Sequence, residues 1–214
     1  MFSLPPPLPG FPSYPSSGPL PNADSGAFVL SRSGPPTLPE LSDSNLLKIL
    51  HFPPSTANVT TDLEVNTLVW KALGYRHVDG EWDGAAAFPN FRSKYPEPPD
   101  FIGMQRVYSK EVDGPCLKAN QALCKTIPVR WKQSLKDNFR QYGFTGFKLA
   151  QLTPNLTRRA QCANWLLYYR EELFGKTVEQ LRKEREEREE RERGEREEAG
   201  GGGKGWSPPI NPVA

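Results

Sequence analysis

Five basic side chains in the second half of the chain have a spacing suited to contact with an anionic partner. Lys132, Lys136 and Arg140 recur every four residues, so on an α-helix they form one stripe. Arg158 and Arg159 lie in the first turn of a later predicted helix, where cations oppose the helix dipole. Such a placement needs a compensating partner. The sequence therefore predicts a surface for an acidic protein face or a nucleic acid at Lys132, Lys136, Arg140, Arg158 and Arg159.

The same pattern also has a purely structural explanation. In that explanation the stripe is the solvated face of an amphipathic helix, and the two arginines pair with carboxylates elsewhere in the fold. Asp137, which lies within the stripe, favours it. The segment 41–181 has 18 basic residues against 14 acidic ones, a modest excess, and no recognisable motif for reading nucleic acids. Nucleic-acid binding is therefore the alternative to a protein partner.

Residues that usually hold cofactors or metals, or act as nucleophiles, are not arranged for those roles. No glycine-rich phosphate loop follows a predicted strand, and neither His51 nor His77 has a second ligand at metal-binding spacing. Asp79, Glu81 and Asp83 fit a polar turn better than a calcium loop. We expect no cofactor, no metal and no catalytic residue. The cysteines are predicted to be free and to act as small hydrophobes: Cys116, Cys124 and Cys162.

The segment 41–181 has enough apolar residues for a core, and its patterns predict a small helix-rich α+β domain with about five helices and a few short strands. Ser42 is typical of a helix N-cap, and Thr61 with Glu64 forms a capping box. Asp79-Gly80 is a preferred two-residue hairpin turn. Further helices are predicted from Asp113, over Val129–Tyr142 and over Leu156–Phe174, and short strands over Phe101–Tyr108 and Phe144–Leu152.

One polar residue interrupts the apolar pattern of the longest predicted helix. Asn164 stands beside Trp165, in a stretch that otherwise faces the core. A buried amide must be hydrogen-bonded. We expect Asn164 to cap a neighbouring loop rather than bind a ligand.

The two ends of the chain differ from the middle. Residues 1–40 contain eleven of the 23 prolines and almost no charge, which predicts a disordered segment that is either a spacer, a peptide ligand or part of a transit peptide. Residues 182–198 contain only Arg, Lys and Glu apart from Gly194, which predicts a solvated single helix. Residues 199–214 are predicted to be a glycine-rich disordered tail. The chain has no apolar run of about 18 residues, the length that a membrane-spanning helix needs.

Three stretches resemble a known family: Pro98–Gly103, Gly143–Lys148 and Thr157–Leu167. The chain resembles, over about 41–175, an uncharacterised family of cyanobacteria and photosynthetic eukaryotes, whose domain has no assigned activity. The resemblance implies a photosynthetic lineage and a chloroplast location in a eukaryote; without it, a cytoplasmic location is expected. It implies no catalytic or binding residue.

Three functions remain possible from the sequence. The first is a non-enzymatic interaction module that binds a protein partner, as an assembly or regulatory factor in a plastid. The second is an RNA- or DNA-binding domain, whose affinity would fall steeply with salt. The third is an enzyme with a pocket near His77, the proline-rich loop and the cysteines. The sequence does not specify the partner, the substrate or the oligomeric state.

Overall fold

A computed structural model describes residues 26–54 and 60–200 of the chain, with side chains up to residue 195. The chain forms two compact units, 1–168 and 169–214. The described residues contain seven α-helices and two strands, more helices than the five expected. The elements are α1 (Asp43–Ile49), α2 (Asp62–Leu73), β1 (Arg76–Val78), β2 (Glu81–Asp83), α3 (Pro89–Arg92), α4 (Lys110–Lys125), α5 (Ser134–Phe139), α6 (Pro154–Tyr168) and α7 (Val178–Gly200).

The first helices and the hairpin form as their end residues predict. Ser42 caps α1 by accepting a hydrogen bond from an amide of its first turn. Thr61 and Glu64 form the capping box of α2. β1 and β2 pair antiparallel around Asp79 and Gly80, whose φ angles of 50° and 92° suit a type I′ turn. These elements are fixed by local sequence.

Helix α6 lies at the centre of the first unit. It packs against α1, α2, α4 and α5, and its apolar face is fully enclosed. Leu46, Leu68 and Leu123 contribute to the same core from α1, α2 and α4, each with no exposed area. A helix buried on most sides must also bury polar groups, and α6 buries Arg158, Arg159 and Asn164.

The predicted strand over Phe101–Tyr108 is wrong. Asp100 accepts hydrogen bonds from the amides of Ile102, Gly103 and Met104, at 2.8, 2.9 and 2.8 Å. These amides are therefore unavailable to a neighbouring strand, and the chain folds into a tight loop. The bonds outweigh the effect of burial, so the pKa of Asp100 is lowered.

Side chains of three helices bind the backbone of this loop, which we call the buried loop (98–104). Phe101 and Ile102 within it have no exposed area, so their peptide groups cannot reach water. The loop carbonyls accept hydrogen bonds from Trp70 to Pro99 (2.7 Å), from Asn120 to Phe101 (3.0 Å) and from Arg158 to Ile102 (3.3 Å). Asn66 accepts from the Phe101 amide at 3.0 Å and donates to Asp100 at 2.9 Å.

Two further predictions about local structure are wrong. Helix α4 begins after the cap Ser109, so Pro115 lies inside it rather than in its first turn. The predicted strand over Phe144–Leu152 is a loop followed by a 3-10 turn, Leu149–Gln151. Gly146 in that loop has a φ of 98°, which a regular strand does not allow.

Residues 26–40 lie in the predicted disordered segment, yet they are attached to the first unit. Asn45 of α1 bonds both the amide and the carbonyl of Val29, at 2.9 and 2.7 Å. Glu40 forms a buried ion pair with Lys71 of α2, and the Lys71 ammonium also donates to the Ser31 carbonyl at 2.7 Å. Val29, Ser31 and Glu40 thus bond α1 and α2, and the domain boundary at residue 41 stays a prediction. Residues 1–25 lie outside the described part of the chain.

The second unit contains α7, which includes the predicted charged helix 182–198. Its ion pairs run one turn apart, from Lys183 to Glu187 and from Arg185 to Glu189. The predicted end of the folded domain at residue 181 falls inside this helix, whereas the first unit ends at Tyr168. In the tail, 201–214 lie outside the described residues. Across 26–54 and 60–200, no helix is both long and apolar enough to span a bilayer.

The Glu40–Lys71 pair predicts how stability depends on its partners and on pH. Burial raises the pKa of Glu40, but Lys71 and two backbone amides outweigh burial and lower it overall. A lowered folded pKa means that this stabilisation is present above the ordinary value of about 4.5 and is lost as the pH falls through the folded value. Replacing Lys71 by Met leaves Glu40 buried without its partner, so we expect a loss of about 3–5 kcal/mol at pH 7.

Urea unfolding at pH 7 and at acid pH measures this effect. The penalty of Lys71→Met relative to wild type should shrink in acid, where Glu40 becomes protonated. Lys118→Met, at an exposed position of α4, is the control and should change stability by less than about 0.5 kcal/mol. Equal effects of the two substitutions at pH 7 would contradict a stabilising role for the pair.

Candidate macromolecular contact surface

The structure places Arg158 inside the first unit. Its guanidinium forms two parallel bonds with Asp113 of α4, at 2.6 and 2.8 Å, and its side chain is only 7% exposed. The bond to Asp113 raises the pKa of Arg158. Gly103 is the close neighbour on the other side, where an added Cβ would stand 3.0 Å from Arg158 Nη1. Arg158 therefore joins α6, α4 and the buried loop, and it is not available to a partner.

Arg159 is still more enclosed, with 1% of its side chain exposed. Its guanidinium donates to Asp62 at 2.6 Å and to the carbonyls of Ile49 and Thr60 at 2.9 and 2.8 Å. Burial lowers its pKa, although Asp62 opposes that shift. Arg159 thus ties α6 to the end of α1 and the start of α2.

Asp62 is the shared acceptor at this junction. Its second carboxylate oxygen accepts bonds from Asn155 of α6 at 2.9 Å and from Arg106 at 3.1 Å. Asp62 lies in the first turn of α2, where a negative charge is favoured by the helix dipole. One carboxylate therefore compensates Arg159 and connects three parts of the chain. The structural explanation of Arg158 and Arg159 holds, and both leave the predicted contact surface.

The other three predicted residues are at the surface. Lys132, Lys136 and Arg140 are all exposed, and none of them forms an ion pair with a described residue. We call these three residues the basic surface. Lys136 and Arg140 are four residues apart over α5 and the turn that follows it, so they share a face. Of the five predicted residues, these three are exposed, and a contact surface at them stays a prediction.

The segment that carries the basic surface is not the single helix that was predicted. It consists of a 3-10 turn (Val129–Trp131), α5 and a second 3-10 turn (Arg140–Tyr142). The break is at Gln133, whose φ of −113° lies outside the helical range. The inward face is nevertheless correct, since Leu135 and Phe139 are buried. The buried residues keep the predicted helical spacing, although the helix itself is interrupted.

Asn164 holds this segment against α6, in the role expected of it. Its side-chain oxygen accepts from the Ser134 hydroxyl at 2.9 Å and from the Leu135 amide at 3.3 Å. Its amide nitrogen donates to the Trp131 carbonyl at 3.0 Å. A side chain of one helix therefore caps the start of another and fixes where the basic surface lies.

A cleft of about 480 Å³ lies between the buried loop and the first half of α4. Its apolar wall includes Met104, Val107 and Val112, which are 41–49% exposed. The two carboxylates at its edge, Asp100 and Asp113, already accept hydrogen bonds within the fold. The cleft is therefore an apolar recess, and both of its acidic groups already bond other parts of the fold.

The cysteines and histidines occupy separate environments. Burial raises the pKa of Cys116 to about 12 and that of Cys124 to about 11, and it raises the pKa of Cys162 as well. Thiols with such values stay protonated at neutral pH and are poor nucleophiles. His77 packs edge-on against Trp82 across the hairpin, with ring centres 5.2 Å apart. All three cysteines are free, as predicted.

His51 and the acidic hairpin complete the residues singled out from the sequence. Burial and the nearby Arg159 lower the pKa of His51. Asp79, Glu81 and Asp83 are exposed along the hairpin. Over 26–54 and 60–200, no group of three or more His, Cys, Asp or Glu side chains is arranged to hold a metal ion.

Comparison with known proteins identifies the family. The chain belongs to the family described as Domain of unknown function (DUF1823), which matches residues 40–171. A protein whose structure was solved by solution NMR is 37% identical; the match covers 60% of this chain and 92% of that chain, with a TM-score of 0.45. No curated protein matches the chain. The resemblance to an uncharacterised family is thus confirmed, and its photosynthetic origin stays a prediction.

The contrast between buried and exposed arginines gives a direct test. We expect Arg159→Met to lower the free energy of unfolding by about 3–5 kcal/mol, because it leaves Asp62 without its closest cation. The matched variant Arg140→Met removes an exposed guanidinium and should change the free energy by less than about 0.5 kcal/mol. Urea unfolding at neutral pH measures both. A loss for Arg140→Met as large as that for Arg159→Met would show that the basic surface is structural.

Proposed function

We propose that this chain is an interaction module that binds an acidic protein partner through the basic surface. One observation carries the proposal: Lys132, Lys136 and Arg140 are exposed without an ion pair to any described residue, whereas Arg158 and Arg159 are neutralised inside the fold. Unpaired cations on a fixed surface attract acidic faces and accelerate association.

The rigidity of the underlying segment supports this proposal. Leu135 and Phe139 anchor it in the core. Asn164 bonds its backbone at Trp131 and Leu135 and the side chain of Ser134. Charges held on a packed element lose less entropy on binding than charges on a loose loop. The basic surface is therefore organised before a partner arrives.

A protein partner is favoured over a nucleic acid by the amount and the kind of charge. The segment 129–142 has four basic side chains and one acidic side chain, Asp137, a small net charge for a nucleic-acid surface. Nucleic-acid binding relies on many phosphate contacts and on stacked aromatic side chains. By the family resemblance, we extend the proposal to an assembly or regulatory factor in the chloroplast.

Charge reversal tests the proposal on the full chain. Three tagged proteins are compared: wild type, Lys132→Glu/Lys136→Glu, and the control Lys110→Glu/Lys118→Glu. The two variants reverse the same number of charges, and the control reverses them at exposed positions of α4. In affinity capture from a lysate of photosynthetic cells, we expect a defined protein to be retained by wild type and control. The reversed basic surface should retain at least about tenfold less of it.

Nuclease treatment and salt separate the alternatives. A protein partner should remain after nuclease. Loss of every captured protein on nuclease treatment, with an affinity that falls steeply with salt, would overturn the proposal in favour of nucleic acid. Equal capture by the reversed and control variants would also overturn it. Circular dichroism of each variant confirms that the fold is retained.

A further inference from the structure

Two aliphatic side chains are far more exposed than any other large apolar side chain in the described ranges. Val129 is 82% exposed and Leu149 is 87% exposed, whereas the next, Val78, is 53% exposed. Each stands at the first position of a 3-10 turn, so its backbone position is fixed. Single exposed aliphatic side chains are common on protein surfaces, but Val129 and Leu149 belong to the part of the chain that carries the basic surface.

The backbone places Val129 beside the basic surface. The Lys132 amide donates to the Val129 carbonyl at 3.2 Å, which closes one 3-10 turn. Side chains three apart in such a turn line up on the same side. Val129 and Lys132 therefore point to the same region of solvent.

Leu149 approaches the same surface from the loop after α5. The aliphatic end of Lys136 lies against Gly146, so closely that a Cβ added at Gly146 would stand 2.8 Å from Lys136 Cε. Leu149 follows Gly146 by three residues, at most about 11 Å between Cα atoms. Val129 is thus joined to Lys132 by one turn, and Leu149 lies within about 11 Å of a glycine that Lys136 contacts.

We propose that Val129 and Leu149 are the apolar anchors of the binding surface, and that its ligand is an acidic protein segment that also carries apolar side chains. This inference rests on the proposed function and names the chemistry of the partner. The unpaired positive charge selects acidic residues, while burial of the two aliphatic side chains supplies affinity that salt does not screen.

Two other occupants fit less well. An anionic membrane would need a larger cluster of basic residues or an apolar helix face free to insert, and Leu135 and Phe139 of α5 are turned inward instead. Single-stranded RNA would use aromatic rings for stacking, whereas both anchors are aliphatic. These occupants remain as outcomes of the test.

Two synthetic peptides of equal charge serve as probes for the full chain. One is an amphipathic peptide with glutamates on one helical face and leucines on the other, and the second has serines in place of the leucines. Fluorescence anisotropy measures their binding. We expect wild type to bind the leucine peptide at least about tenfold more tightly than the serine peptide. Val129→Ser/Leu149→Ser should remove that difference, while the control Leu63→Ser/Leu117→Ser should keep it.

The variants separate this inference from the proposed function. If Val129→Ser/Leu149→Ser discriminates between the peptides like wild type, the anchors are wrong and the basic surface stands. If Lys132→Glu/Lys136→Glu binds both peptides like wild type, the proposed function itself fails. Absence of binding by wild type overturns both. Tighter, anchor-dependent binding to phosphatidylglycerol vesicles or to an RNA oligonucleotide than to the leucine peptide would replace the protein segment by that ligand.

Discussion

The buried loop has no helix or strand of its own, although it passes through the core. Phe101 and Ile102 have no exposed area, so their peptide groups cannot bond water and side chains must bond them instead. The Asp100 carboxylate accepts hydrogen bonds from three amides of the loop. Trp70, Asn120 and Arg158, from three different helices, donate to three of its carbonyls. α2, α4 and α6 are therefore held in register through one short piece of backbone. Because an unsatisfied buried carbonyl costs about 1–3 kcal/mol, the three helices cannot move apart without losing these bonds together.

This constraint explains how charge is divided in the first unit. The long polar side chains of α6 point inward because the loop and the helix ends offer carbonyls and carboxylates that need donors. Arg158 and Arg159 meet that need with several bonds each, for which a planar guanidinium is suited. Lys132 and Lys136, with a compact and strongly hydrated charge, are exposed at and before α5. The interior therefore accounts for Arg158 and Arg159, and Lys132, Lys136 and Arg140 are the predicted site residues that stay exposed.

Local sequence predicts the elements whose ends carry their own signals, such as the Thr61 cap and the Asp79-Gly80 turn. It fails where distant residues decide the conformation. Nothing near Phe101 shows that Asp100 would bind three amides, and nothing near Arg159 shows that Asp62 lies within 2.6 Å. Arg158 carries a signal in the sequence, because a helix that starts at Leu156 places it in the first turn, where a cation needs a nearby carboxylate; α6 in fact begins two residues earlier, at Pro154. Asn164 was interpreted correctly, since a buried amide has few alternatives to capping a neighbour. The exposed cations were found by periodicity, whereas the exposure of Val129 and Leu149 depends on 3-10 turns that apolar patterning does not specify.

Hydrogen exchange of the full chain tests the buried loop most directly. The amides of Phe101, Ile102 and Gly103 are bonded to side chains rather than to a helix or a sheet. If the loop locks the three helices together, these amides should exchange only when the whole first unit unfolds, with the same opening free energy as the amides of α6. Exchange at the rate of an exposed turn, such as the hairpin at Gly80, would show that the loop opens on its own. The helices would then be held by other contacts.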